Sequence, residues 1–166
     1  MLAFKKQFPK KVTLLLGNHD WQYLFHGWVG QCTGYNRFAA PTYYSIFTEN
    51  QRLFKVAYEP VKNIVFSHAG ITKEFLGQQE DLSSFVSELN SSMFNSQNVK
   101  WTNQTNGCLW VRPNILNVDY IKNVTQVVGH TAVPNILKHT LNEGENFIYY
   151  TDVLANSDSF LELKLS

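Results

Sequence analysis

Residues 11–20 read Lys-Val-Thr-Leu-Leu-Leu-Gly-Asn-His-Asp, an apolar run that stops at a glycine and three polar side chains. Such a run predicts a short buried strand and a tight loop at Gly17. The Trp-Gln-Tyr-Leu-Phe-His-Gly-Trp-Val that follows carries apolar residues at helical spacing. The same order of strand and glycine loop returns twice. Residues 63–66, Asn-Ile-Val-Phe, run into Ser-His-Ala-Gly, and residues 125–128, Thr-Gln-Val-Val, run into Gly-His-Thr.

The flanking stretches supply the rest of the fold. Residues 41–58 predict a helix and then a short strand. Residues 81–94 set Leu82, Phe85, Val86, Leu89 and Phe94 on one helical stripe, with Asp81 as its N-cap. Residues 91–107 are polar and read as a long loop. From Asn135 onward, three alternating runs predict antiparallel strands, with a hairpin turn at Glu143-Gly144 and the last strand over residues 159–165. The whole predicts one α/β domain over 1–166, a mixed-sheet layered sandwich whose strand ends gather at one edge.

Bulk properties narrow the partners. With 44% hydrophobic and 16% charged residues the chain is that of a folded protein, and a net charge of +1 leaves no electrostatic footprint for nucleic acid or an anionic membrane. No segment approaches a membrane span or a signal-peptide core, so a cytoplasmic location is expected. Cys32 and Cys108 form no CxxC and are expected as reduced, partly buried thiols.

Chemistry is concentrated in the three loops, which deliver Asn18 and His19, then His68, then His130. All are side chains that bind metals or move protons. One histidine at a strand end is ordinarily structural, whereas three in matching loops point to a site. Asp20 is expected to brace its loop, and the role of Asp152 is open. His26, His139, Trp21, Tyr23, Phe25 and Trp28 are expected in surface or packing roles.

Gly-Asn-His-Asp at 17–20, Ser-His-Ala-Gly at 67–70 and Gly-His-Thr at 129–131 resemble, in order and spacing, three motifs of the calcineurin-like metallophosphoesterases. Ala132 stands where the wider superfamily often has a second histidine, which resembles the phosphoprotein-phosphatase branch and its bacterial relatives. The resemblance implies a hydrolase of phosphoesters by a two-metal mechanism, like Ser/Thr protein phosphatases. Dinucleoside tetraphosphatase activity is one alternative, and a non-catalytic remnant acting as an interaction module is another.

By resemblance, Asn18, His68 and His130 would bind metal, His19 would protonate the leaving oxygen, and Arg112 would hold phosphate. Two divalent ions, Mn, Fe or Zn, would neutralise phosphate oxygens and activate water. The family's Asp-x-His and Gly-Asp-x-x-Asp-Arg motifs precede the Asn-His motif by tens of residues, and sixteen residues precede Gly17 here. The expectation is therefore an N-terminally truncated sandwich with at most one weakly bound ion and negligible turnover. A phosphorylated substrate and self-association through an exposed sheet edge complete the expectations.

Overall fold

The run at 11–16 yields a shorter strand than its composition predicts, because its neighbour is short. β1 covers only Leu14–Leu15 and pairs in parallel with β2, Phe54–Lys55, in a two-stranded sheet that ends where Leu16 N–H donates to the Lys55 carbonyl. The computed structural model describes residues 1–24, 32–94, 106–112, 119–141 and 146–165. The expected Glu143-Gly144 turn, most of the expected long loop, and His26, Phe25 and Trp28 lie outside these residues.

Ahead of β1 a helix, α1 (Leu2–Gln7), forms with no buried residue; no expectation anticipated it. After β1 come α2 (Asn18–Leu24) and α3 (Ala40–Glu49), which pack together. A second, five-stranded sheet holds β3 (Ala57–Val61), β4 (Ile64–Ser67), β5 (Thr125–Ala132), β6 (Leu137–Leu141) and β7 (Asn146–Asp152) in the order β3-β4-β5-β7-β6. The β4, β5 and β7 strands are mutually parallel, and the antiparallel β3 and β6 close the two sides. Between β4 and β5 the chain forms α4 (Lys73–Leu76) and α5 (Leu82–Ser92).

Period-two alternation decides which sheet face is buried. Val65, Gln126 and Ile148 lie in register across β4, β5 and β7, as do Ser67, Val128 and Tyr150, and all six are buried. Gln126 is the amide among them, and both of its ends are paired: Oε1 accepts from Ile71 N–H while Nε2 donates to the Ile71 carbonyl. Asp81 caps α5 as expected, accepting from Ser84 N–H at 2.8 Å. Leu82, Phe85, Val86 and Leu89 are buried in the cluster that contains Val65 and Ala57. Asn90 ties that helix to the sheet by accepting from Val56 N–H and donating to the Ala57 carbonyl.

The strand expected at 159–165 does not form. Both edges of β7 are taken, one by β5 and one by β6, so the last alternating run finds no free ladder there. It lines a groove with Phe66, Val127 and Thr151 on the opposite sheet face, leaving Phe160 exposed. No helix among the described residues is long and apolar enough to cross a membrane.

Candidate functional site

Three elements bring their ends together. Asn18 opens α2 and is buried, His68 directly follows β4, and His130 sits within β5. His68 Nε2 lies 2.8 Å from Asn18 Oδ1 and 3.0 Å from His130 Nδ1, and the two imidazole rings meet edge to face at 4.8 Å. A proton on His68 Nε2 serves both acceptors and puts the His130 proton on Nε2. That nitrogen is buried and makes no well-formed hydrogen bond among the described residues, although the Trp110 backbone is close enough to favour the protonated ring.

Local backbone explains the convergence. Gly17 is glycine because a Cβ there would stand 2.8 Å from the His68 ring. Asp20 braces this turn as expected, Oδ2 accepting from Gly17 N–H at 2.9 Å. His130 has φ 63°, a left-handed conformation that strains a side-chain-bearing residue, at the irregularity between Val128 and Ala132 where β5 departs from its register with β7. The departure turns His130 toward His68, and Gly129 N–H donates to the His68 carbonyl at 2.9 Å. Arg112 arrives from another segment, its Nη1 donating to the His130 carbonyl at 3.2 Å.

Electrostatics keeps the pair of imidazoles neutral. Burial and then the neighbouring His130 hold His68 down at about 4. Burial and then the Arg112 guanidinium hold His130 at about 4, with the Trp110 backbone and the Asp152 carboxylate acting the other way. Burial also raises the Asp20 carboxyl, against the Gly17 hydrogen bond and the His19 charge. His19 itself is exposed, the second residue of α2, and lines a cleft beside the cluster. Thus the five expected site residues, Asn18, His19, His68, Arg112 and His130, come from four segments to one end of the parallel strands. Asp152 adds a nearby charge.

The donor set differs from what the expected metals require. A pair of divalent ions needs carboxylates to offset and bridge their charge, and this cluster offers two imidazoles and an amide. Of the two carboxylates around it, Asp20 is engaged by Gly17 N–H, and Asp152 acts on His130 as a nearby charge. Among the described residues no group of three or more His, Cys, Asp or Glu side chains could hold a metal ion. The residues do not fit two ions.

Cysteine chemistry fares no better. Cys108 is fully buried and its thiol is pushed up to about 12 by burial, and the Cys32 thiol is also raised by burial. Neither supplies a thiolate nucleophile at neutral pH.

No family model matches the chain, and no curated protein does. Among solved structures it is similar to the cold-active protein-tyrosine phosphatase of a psychrophile, Shewanella sp., with a TM-score of 0.58 at 18% identity over 86% of this chain and 49% of that one. A point mutant of a cold-active protein tyrosine phosphatase gives 0.54 at 18% identity over 82% of this chain and 48% of that one. A further structure of a cold-active protein tyrosine phosphatase gives 0.54, at 18% identity over 82% and 47%. The chain spans about half the length of these neighbours. At this identity the likeness is one of fold.

These findings correct the family reading. The structures that share the fold bear the name of protein-tyrosine phosphatases, so the assignment to calcineurin-like metallophosphoesterases and to a sandwich of that type is withdrawn. The Ser/Thr phosphatase function and its tetraphosphatase and remnant alternatives go with it. So do manganese and the two divalent ions, with at most one weakly held here, for which the described donors are unsuited. The α/β class itself stands, as a mixed sheet with helices.

Sequence reading missed the surroundings of His19. Tyr23 lies one helical turn on, at the i+4 position, and Tyr43 and Phe47 reach the same cleft from α3. The i, i+4 spacing of His19 and Tyr23 was the available signal.

Proposed function

We propose that the chain carries a phosphatase site that hydrolyses phosphate monoesters. The observation that carries this reading is the meeting of neutral His68 and His130 with Asn18, beside the exposed His19 and the Arg112 guanidinium. The neighbours' printed activity supports it.

In this reading Arg112 offers its remaining N–H donors to two phosphate oxygens, and the Asn18, His68 and His130 cluster forms the polar wall beside them. A water oxygen forms a bond to phosphorus as the P–O bond to the leaving group breaks, its electron pair staying on the leaving oxygen. His19 in its imidazolium form passes a proton to that oxygen and is reprotonated from the attacking water, so alcohol or phenol and inorganic phosphate are the products. His68 and His130, partly buried and held neutral, are assigned no proton transfer in this reading, and the exposed His19 is assigned it.

The test is hydrolysis of phenyl phosphate by the whole chain beside its His19→Ala variant. A general acid contributes roughly 100-fold or more, so kcat is expected to fall by at least about that factor, with KM little changed. Absence of hydrolysis, or equal rates in the two proteins, would sink the reading. Rates that arise only with added Mn and vanish with a chelator would overturn the correction on metals instead.

Cys108→Ala provides a second check. Because the thiol is buried and protonated, the variant is expected to keep kcat within about threefold while losing about 1 kcal/mol of stability from one deleted buried group. Loss of hydrolysis in a folded Cys108→Ala protein would point to a thiolate nucleophile and away from the histidine site.

A further inference from the structure

The net charge of +1 averages over an uneven chain. All thirteen Asp and Glu lie from Asp20 onward, while residues 1–19 hold Lys5, Lys6, Lys10 and Lys11 and no acid. The same stretch builds α1, which buries none of its side chains. Phe4 and Phe8, four positions apart, meet edge to face at 5.0 Å, and both are exposed, Phe4 at 51% and Phe8 at 36%. Met1, one turn earlier, is 84% exposed. The Lys5 ammonium folds back to donate to the carbonyls of Pro9 and Val12, and Lys11 and Val12 N–H both donate to the Phe8 carbonyl. These bonds hold the turn that carries Lys10 and Lys11 against the end of α1. Lys6, Lys10 and Lys11 are exposed, and among the described residues none of them meets a carboxylate.

We infer that α1 and the turn after it form a docking surface for an anionic lipid bilayer, with Phe4 and Phe8 entering the headgroup layer and Lys6, Lys10 and Lys11 meeting its negative charge. The proposal is independent of the phosphatase reading. Charge complementarity selects the occupant. An anionic bilayer strengthens binding by about fivefold for each lysine near its surface, so three together favour it over a neutral bilayer by roughly 100-fold. Lysine stems are long enough to lie along the bilayer surface while the two rings enter it. A helix as short as α1 offers too little apolar area to bind through its rings alone, which makes the lysines necessary and the binding sensitive to salt. A lipid surface fits better than a nucleic acid because the lysines are gathered within residues 6–11 around an apolar pair. They are not strung along a groove that could track a phosphate backbone.

The experiment is co-sedimentation of the whole chain with vesicles of phosphatidylcholine alone and of phosphatidylcholine with about 30% phosphatidylserine. At about 50 mM salt the serine-containing vesicles are expected to bind the chain roughly 100-fold more tightly, and most of that difference should vanish at about 500 mM salt. A triple variant, Lys6→Gln with Lys10→Gln and Lys11→Gln, and a double variant, Phe4→Ser with Phe8→Ser, should each bind at least about tenfold more weakly. None of these side chains is buried, so both variants should keep the native near-ultraviolet circular dichroism. Equal binding to the two vesicles, or unchanged binding in either variant, would overturn the proposal. Pelleting of the chain to the same extent without vesicles would also overturn it, by showing that the exposed rings dock on a second copy. Binding of an oligothymidylate at the same salt, with no retention on either vesicle, would overturn it in favour of nucleic acid.

Discussion

The folded chain is expected to lose stability steeply as pH falls from about 6.5 to about 4, because His68 and His130 are held at about 4 in the fold against 6.5 when free. Their folded values lie below the unfolded ones. The stabilisation from keeping both rings neutral is therefore complete above about pH 6.5 and is lost as pH drops through the window toward 4. Across that window the unfolded chain binds up to two more protons than the folded one, and each extra proton is worth about 1.4 kcal/mol per pH unit.

Two effects reduce the slope. His130 is only partly buried, so solvent screening trims its share. The raised Asp20 carboxyl acts in the opposite sense, since its folded form binds protons more readily than its unfolded form. Urea denaturation at a series of pH values reads the result. A flat midpoint across the window would show that the two imidazoles are not held neutral by the fold. His68→Gln should remove about half of the slope.

Phe85→Ala is expected to cost about 3–5 kcal/mol, the range for truncating a buried aromatic ring. Phe85 is 0% exposed near the start of α5 and meets Phe75 edge to face at 5.4 Å, with the rings at 87°. Its helix is fastened to β3 by Asn90, and β3 pairs with β4, whose end carries His68. Against a typical stability of about 5–15 kcal/mol, this one change brings the chain near its unfolding threshold. Thermal and urea unfolding should agree on the loss. A cost below about 1 kcal/mol would mean that the helix is not seated on the sheet in the way described.

The loops that meet at the strand ends were legible before the structure, because a strand followed by a glycine loop is a local pattern. Asn18, His19, His68 and His130 each sit where an apolar run ends, and a run's end is visible in a single segment. The helix of residues 82–92 and its Asp81 cap were legible for the same reason, as period and cap lie within a few residues of each other. What those residues bind was a different question. Short motifs led to a family with two metals, and the donors that meet in space, two imidazoles and an amide, do not suit two ions.

Other features depended on neighbours distant in sequence. The alternation in residues 159–165 fits a strand, but pairing is a property of two segments, and β6 had already taken the edge. The neutrality of His68 comes from its burial against Gly17 and from His130, 62 residues further along the chain. The aromatic cleft needed α3 to be laid on α2 before Tyr43 could stand beside His19 and Tyr23. Sequence alone determined which loops follow the strands and which polar side chains they carry, since both follow from local periodicity and turn residues. Tertiary structure alone decided their charge states, their partners and the shape of the cleft, since those depend on long-range contacts and on desolvation that no single segment encodes.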